Sequence, residues 1–181
     1  YDGTSWTEVA DLNTARRDIR GCGVSYTAVL AFGGDAPPYT AATESYDGTS
    51  WTEVADLNDA RAYGGGAGIL TAALYFGGFT PGVTANVELW NGSSWTETTN
   101  LNTARYYHGG LGISTSALAF GGDVSPKAQT EQWNGSTWTE TGDLNTGREG
   151  LSGSGTTSAG LGYGGTGNVS ITEEWNGSSW T

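Results

Sequence analysis

The sequence of 181 residues predicts an all-β fold built from repeated units, and three observations lead to it. A phrase like Tyr46-Asp47-Gly48-Thr49-Ser50-Trp51 occurs five times, and its last tryptophan recurs every 42 to 45 residues, at Trp6, Trp51, Trp95, Trp138 and Trp180. Glycine is abundant, with 31 residues, and no stretch has the spacing of an amphipathic helix. Each period also contains four short runs bounded by turn residues. Four hairpin-linked strands in a period of this length are typical of the blades of a β-propeller.

The unit that follows Arg61 shows the predicted strands in order, at 66–70, 73–76, 87–90 and 95–98. The first is made of small residues, which suits a crowded place where backbones approach closely. The second is a short apolar run, typical of a strand buried on both faces, and Gly77-Gly78 ends it. A loop containing Pro81-Gly82 leads to the third strand, and Asn91-Gly92 predicts the hairpin before the fourth.

The whole chain is predicted to be one propeller domain, 1–181, with repeat units at about 1–45, 46–89, 90–132 and 133–174 and a partial repeat at 175–181. The segment around Trp6 reads as a fourth strand whose own blade is missing. We expect it to close the ring of four blades by completing the blade begun by residues 153–175. Segments 1–7 and 175–181 then compete for one place. The alternatives are an eight-bladed ring shared between two chains and a piece of a longer array.

Four features recur together: a glycine pair ends the second strand, an aromatic residue lies in the third, Trp opens the fourth, and Arg precedes the next first strand. The recurring arginines are Arg16, Arg61, Arg105 and Arg148. This combination resembles the kelch repeat of β-propellers. Phrases such as Leu101-Asn102-Thr103-Ala104-Arg105 also resemble the near-identical tandem arrays of bacteriophage virion and tail proteins. The resemblance implies a binding or display module on a virion or another extracellular appendage, which recognises a host-surface protein or glycan.

Charge and composition restrict the partners. The formal net charge is −12, with 19 acidic and 7 basic residues, so nucleic acid is not expected as a partner. The longest apolar runs are too short to predict a membrane span. The chain has one histidine and one cysteine, and we expect neither a metal site nor a cofactor.

Comparison of the repeats separates two faces of the predicted ring. The hairpins between strands three and four barely change, whereas the loops between strands two and three differ completely, at 35–40, 79–83, 123–127 and 166–168. The residues just after each repeat arginine differ as well, and they are expected on the same face as these loops. Variation concentrated on one face favours a binding surface there, and unconstrained drift of loops is the alternative.

The candidate ligand-binding residues on that face are Arg17, Tyr39, Arg61, Tyr63, Arg105, Tyr106, Tyr107 and His108. The four tyrosines do not recur between repeats, and aromatic platforms suit sugars and proteins alike. The repeat arginines could instead ring the axis and capture a carboxylate or sulfate. Their recurrence in every unit favours another role, in which each ties its crossover loop to a neighbouring blade through backbone carbonyls.

Two other functions compete with a binding role. The blades could build or decorate a fibre and bind nothing small, with other virion proteins or further copies of the chain as partners. The hairpin phrase is also similar to the Asp-box of sialidases, which suggests a glycan-cleaving enzyme. It lacks the residue between Asp and Gly, however, and three of the five copies have Asn instead of Asp. We therefore predict a non-enzymatic module.

Overall fold

The computed structural model describes residues 1, 3–167 and 169–181, and these contain fifteen β-strands and no helix. The strands are β1 (Arg20–Ser25), β2 (Ala28–Phe32), β3 (Thr43–Tyr46), β4 (Trp51–Glu53), β5 (Gly65–Ile69), β6 (Ala72–Phe76), β7 (Val87–Trp90), β8 (Trp95–Thr98), β9 (Gly109–Ile113), β10 (Ser116–Phe120), β11 (Thr130–Trp133), β12 (Trp138–Glu140), β13 (Ser152–Thr156), β14 (Ala159–Tyr163) and β15 (Thr172–Trp175). No helix long and apolar enough to cross a membrane occurs in the described part of the chain.

The strands form four antiparallel sheets, each an up-and-down meander in sequence order. The fourth sheet has three full strands, and a bridge between Trp175 and Trp180 adds the short fourth one. The first strands of successive blades, β1, β5, β9 and β13, lie side by side and line one central cavity. The protein is therefore a four-bladed β-propeller, as the repeats predict.

The glycines of the inner strands are required by close backbone packing around the axis. A Cβ atom on Gly110 would lie 3.2 Å from the backbone nitrogen of Gly66 and 2.8 Å from the ring of Phe76. A Cβ atom on Gly153 would lie 2.9 Å from the carbonyl oxygen of Gly110. The prediction of a crowded first strand is confirmed.

Three of the repeat tryptophans, Trp95, Trp138 and Trp180, pack blade against blade. Each lies against the phenylalanine of the preceding blade, with ring centroids 5.0 Å apart for Phe32 and Trp95, 5.1 Å for Phe76 and Trp138, and 4.7 Å for Phe120 and Trp180. All three phenylalanines are completely buried. The buried apolar residues therefore form three cores, one in each of the three interfaces, or seams, between successive blades.

Each repeat arginine is held inside its own blade by a glutamate of the third strand. Arg105 donates to Glu131 at 2.8 Å, and Glu131 also accepts from the backbone N–H of Asn102 at 2.7 Å. The other pairs are Arg16 with Glu44, Arg61 with Glu88, and Arg148 with Glu173. The structural role is confirmed, but the main partner is a carboxylate of the same blade, not the carbonyls of a neighbour. The sequence does carry a signal for it, because every third strand has Glu two residues before its aromatic residue.

The prediction that an N-terminal strand closes the ring is wrong for this structure. Trp6 is 85 % exposed and touches Tyr1, whereas Trp180 occupies the outer position of the fourth blade and is 4 % exposed. Glu174 and Thr181 exchange backbone hydrogen bonds at 2.8 and 2.9 Å. The C-terminal copy prevails because it joins β15 through a short hairpin, so its pairing closes a very small loop.

Candidate binding face

The two kinds of variable segment are paired in every blade, on the face where the sequence places them. Backbone bridges join Arg17 to Asp35 and Ala62 to Phe79. In the third and fourth blades, the N–H of Asp123 donates to the carbonyl oxygen of Tyr106 at 2.9 Å, and the N–H of Thr166 donates to the carbonyl oxygen of Glu149 at 2.8 Å. The predicted common face is thus confirmed for the described residues; Asn168, which belongs to the fourth variable loop, lies outside them.

Five aromatic side chains meet on this face, and we call them the aromatic cluster: Tyr39, Tyr63, Phe79, Tyr106 and Tyr107. Successive rings contact one another around a closed circuit. Centroid distances are 6.1 Å for Tyr39 and Tyr63, 4.5 Å for Tyr63 and Tyr107, and 5.1 Å for Tyr107 and Tyr106. Phe79 closes the circuit, 5.4 Å from Tyr106 and 6.0 Å from Tyr39. All five are half-buried, so each keeps part of its surface in contact with solvent.

The cluster unites four of the eight sequence candidates and adds one residue that sequence comparison missed. Phe79 is the first residue of the variable loop of its blade, where it aligns with Asp35 and Asp123. This alignment with two residues of the variable face is the signal by which the sequence could have identified Phe79. The structure brings together tyrosines from three different blades, which no local pattern could predict.

Two residues of the aromatic cluster, Tyr63 and Tyr107, have a strained backbone conformation. Tyr63 and Tyr107 have positive φ angles of 63° and 54°, and the equivalent residues of the other blades, Asp18 and Gly150, have 53° and 67°. A bulky residue in this region is an outlier that costs about 1–3 kcal/mol. The same residues form a row of backbone hydrogen bonds across the seams: Tyr63 N–H to Asp18 O, Tyr107 N–H to Tyr63 O, and Gly150 N–H to Tyr107 O, at 3.4, 2.8 and 2.7 Å. The row fixes where the two rings point.

Charged groups surround the cluster. Tyr106 donates its hydroxyl to Asp123 at 2.7 Å, and this hydrogen bond raises the pKa of Tyr106. Asp123 also binds Lys127 at 2.8 Å, and the ammonium group is the main reason that the pKa of Asp123 lies well below its usual range. Burial, and then contact with Tyr107, raise the pKa of Tyr63 to about 12. The neutral phenol of Tyr106 and the ionised carboxylate of Asp123 therefore lie side by side at neutral pH.

Arg17 flanks the cluster as an exposed cation. Its guanidinium binds Asp35 at 2.6 Å while its side chain remains 72 % exposed. The hydroxyl of Tyr63 lies 3.5 Å from the same Asp35 carboxylate. Arg17 thus belongs to the candidate face, through Asp35.

Arg61, Arg105 and His108 lie behind the face, and we do not keep them in the candidate site. Arg61 and Arg105 are 0 % and 2 % exposed and bind their glutamates. His108 is 1 % exposed, packs on Phe76, and occupies the core position that Leu151 has in the next blade. Neither ring nitrogen of His108 makes a hydrogen bond of normal geometry. The pKa of His108 lies well below the usual value, mainly because the ring is buried and also because Arg105 is positively charged.

A second concavity lies on the axis, lined by the glycines of all four inner strands together with Arg20 and His108. The guanidinium of Arg20 donates to the carbonyl of Ile19 at 3.1 Å, and burial lowers its pKa. The cavity has a volume of about 200 Å³, which admits a small ion or a few waters, and it lacks the aromatic surface that distinguishes the loop face.

The described residues include no cluster of three or more His, Cys, Asp or Glu placed to hold a metal ion. No protein-family model matches the chain, and the curated proteins contain no significant match to it.

Proposed function

We propose that this propeller is a non-enzymatic binding module whose aromatic cluster recognises a glycan on a cell surface. One observation carries the proposal: five half-buried aromatic rings from three blades meet on the variable face, bordered by the carboxylates of Asp35 and Asp123. Aromatic rings supply large contact areas with few rotatable bonds, so they lose little conformational entropy on binding.

The chemistry of the border favours a sugar without acidic groups. Sugar rings present C–H groups that pack on aromatic faces, and their hydroxyls donate to carboxylates such as Asp35 and Asp123. An acidic sugar would approach a chain of net charge −12 and would be repelled. The hydroxyl oxygens of the tyrosines can also accept hydrogen bonds, which hold a hydroxyl-rich ligand in one orientation.

Strain supports a functional role for Tyr63 and Tyr107. The fourth blade has Gly150 at the equivalent position, which adopts the same backbone conformation without cost. Tyrosine there brings about 1–3 kcal/mol of strain, and strained residues concentrate at binding sites. Selection for a ligand contact explains why the chain keeps this cost in two blades.

The arginines argue against a sialidase-like activity. Catalysis of that kind requires a cluster of free arginines facing a substrate, whereas Arg16, Arg61, Arg105 and Arg148 are each bound to a buried glutamate. A virion or extracellular location, and membership of the kelch repeats, remain part of the proposal; they rest on the repeat phrases, and the propeller fold is consistent with them.

A glycan array followed by titration calorimetry tests the proposal. We expect binding to a neutral glycan, and a loss of at least tenfold in affinity for Tyr107→Gly and for Tyr39→Ala. The matched control is Ile113→Ala, because Ile113 is 52 % exposed at the β9–β10 hairpin on the opposite face. Equal affinity for all three variants would overturn the assignment of the face, and an array without any hit would overturn glycan recognition.

A further inference from the structure

Exposed apolar side chains concentrate at the two end blades. Of the nine large hydrophobic residues that are exposed in the described chain, seven belong to the N-terminal segment, to the first blade or to the fourth: Tyr1, Trp6, Val9, Val24, Tyr26, Leu161 and Tyr163. Only Val83 and Ile113 lie elsewhere. An apolar surface concentrated in this way marks an interaction site.

The repeats show what normally covers the face of the fourth blade. Leu161 and Tyr163 occupy the positions of Leu74 and Phe76 in the second blade, which are completely buried against the third. In the fourth blade the same positions are 40 % and 41 % exposed. This face of the fourth blade resembles the corresponding faces of blades one to three, but no further blade packs against it.

The first blade presents the opposite face of such a seam. Trp51 occupies the position of Trp95, which is 4 % exposed and donates its indole N–H across the seam to Thr43 at 3.0 Å. Trp51 is only half-buried and donates instead to the carbonyl of Ala10 at 3.2 Å. Leu12 is half-buried, whereas its counterpart Leu57 is 4 % exposed.

Hydrogen bonds between blades also stop at this place. The row that runs from Asp18 through Tyr63 and Tyr107 ends at Gly150. Among the described residues, no bond from the N–H of Asp18 to the carbonyl of Gly150 completes the circle, and β1 and β13 do not pack together as the other neighbouring inner strands do. The seam between the fourth and first blades is open.

We propose that a second copy of this chain fills the open seam, so that the fourth blade of each copy packs on the first blade of the other. The two faces are complementary because they are the two sides of one repeated interface, and each molecule carries both. A two-fold pair of head-to-tail contacts closes a ring of eight blades and leaves no apolar face uncovered.

The termini fit this arrangement. Residues 175–181 repeat residues 1–7 position for position, and Trp180 already holds the outer place in the fourth blade. Segment 8–13 of the second copy can then enter the seam next to Thr181, in the way that each crossover enters the next blade. Residues 3–7 then have no place in the ring, which agrees with the exposure of Trp6. The inference is independent of the proposed glycan binding, since the aromatic cluster lies within blades one to three.

Analytical ultracentrifugation tests the assembly. We expect a particle of twice the 18.7 kDa chain mass at micromolar concentration, and tighter association in high salt, because each copy carries a charge of −12. Tyr163→Asp is expected to weaken the dimer at least tenfold. The control Ile113→Asp changes an apolar residue that is 52 % exposed and belongs to the third blade, not to the first or fourth, and should leave the dimer intact.

A designed disulfide distinguishes a second copy from closure within one chain. Ser116 and Thr157 face each other across the seam of blades three and four, with side-chain oxygens 2.6 Å apart. Their counterparts at the open seam are Ala159 and Tyr26, so Tyr26→Cys with Ala159→Cys, in a Cys22→Ser background, places two thiols there. We expect a covalent dimer on oxidation. A monomer with an internal disulfide, a monomer without one, or a dimer that does not cross-link would each overturn the proposal.

Discussion

Arg105 and Glu131 form a buried ion pair: the guanidinium donates to the carboxylate across 2.8 Å, and both side chains are 2 % exposed or less. The pair joins the segment entering the third blade to the third strand of that blade. Removal of one partner leaves a charge in the interior without a counter-charge, which costs far more than the pair itself contributes.

We expect Glu131→Gln to lower the free energy of unfolding by about 3–5 kcal/mol, because the charge of Arg105 stays buried and uncompensated. Urea denaturation at pH 7 measures the change. Glu97→Gln is the matched control, since Glu97 is exposed on β8 and should change stability by less than about 0.5 kcal/mol. Adding Arg105→Met to the first variant should recover part of the loss; no recovery would contradict the role of the unpaired charge.

Trp95 and Trp6 occupy the same position of the repeat in opposite environments. Trp95 packs on Phe32 and is 4 % exposed, and Trp6 is 85 % exposed. We expect Trp95→Ala to cost about 3–5 kcal/mol, as for a large side chain removed from a core. Trp6→Ala should be nearly neutral by the same thermal or urea measurement. Similar losses for both would show that the N-terminal segment is packed in solution.

Tyr63 provides a test of backbone strain. The φ angle of Tyr63 is 63°, which Gly adopts without strain and Ala does not. Tyr63→Gly should therefore be more stable than Tyr63→Ala by about 1 kcal/mol. Tyr39, which is not in this conformation, is the control, and there the order should be reversed. The free energies of unfolding of the Gly and Ala variants at positions 63 and 39 test this prediction. If Tyr63→Ala is as stable as Tyr63→Gly, the backbone at position 63 is not strained.

His108 makes stability depend on pH between 7 and 5. Its pKa in the folded protein lies well below the usual value because of burial, so the unfolded chain binds a proton that the folded chain does not. Stability is therefore complete above the unfolded pKa of about 6.5 and falls as pH decreases, by at most about 1.4 kcal/mol per pH unit. His108→Leu, which copies Leu151 of the next blade, should flatten this slope. An unchanged slope would assign the pH dependence to other groups.

Much of the fold can be predicted from the sequence because the information is local and repeated. The 42–45-residue period, the small residues of β5 and the Asn91-Gly92 tip predict strands and turns that the structure contains. The tip works through the side chain of Asn91, whose oxygen accepts from the N–H groups of Ser93 and Ser94 at 2.9 and 3.0 Å. Only contacts within a few residues of the chain are needed for such elements.

The candidate site could be predicted only in part. Variation between repeats identifies the face and the tyrosines, because loops at equivalent positions of a propeller emerge on one side. It does not show that Phe79 joins them or that His108 lies in the core, since burial depends on packing between blades that are about forty residues apart in sequence. Near-identical repeats make such differences hard to detect.

The sequence by itself determined the number of blades, the strands within each blade and the face that varies. Only the tertiary structure decided which copy of the terminal phrase completes the fourth blade, and that the seam to the first blade stays open. The physical reason is that residues 1–7 and 175–181 differ only by similar side chains, at three of seven positions, so their sequence does not rank them. The short connection from Trp175 to Trp180 does, since it closes at a much lower cost in chain entropy.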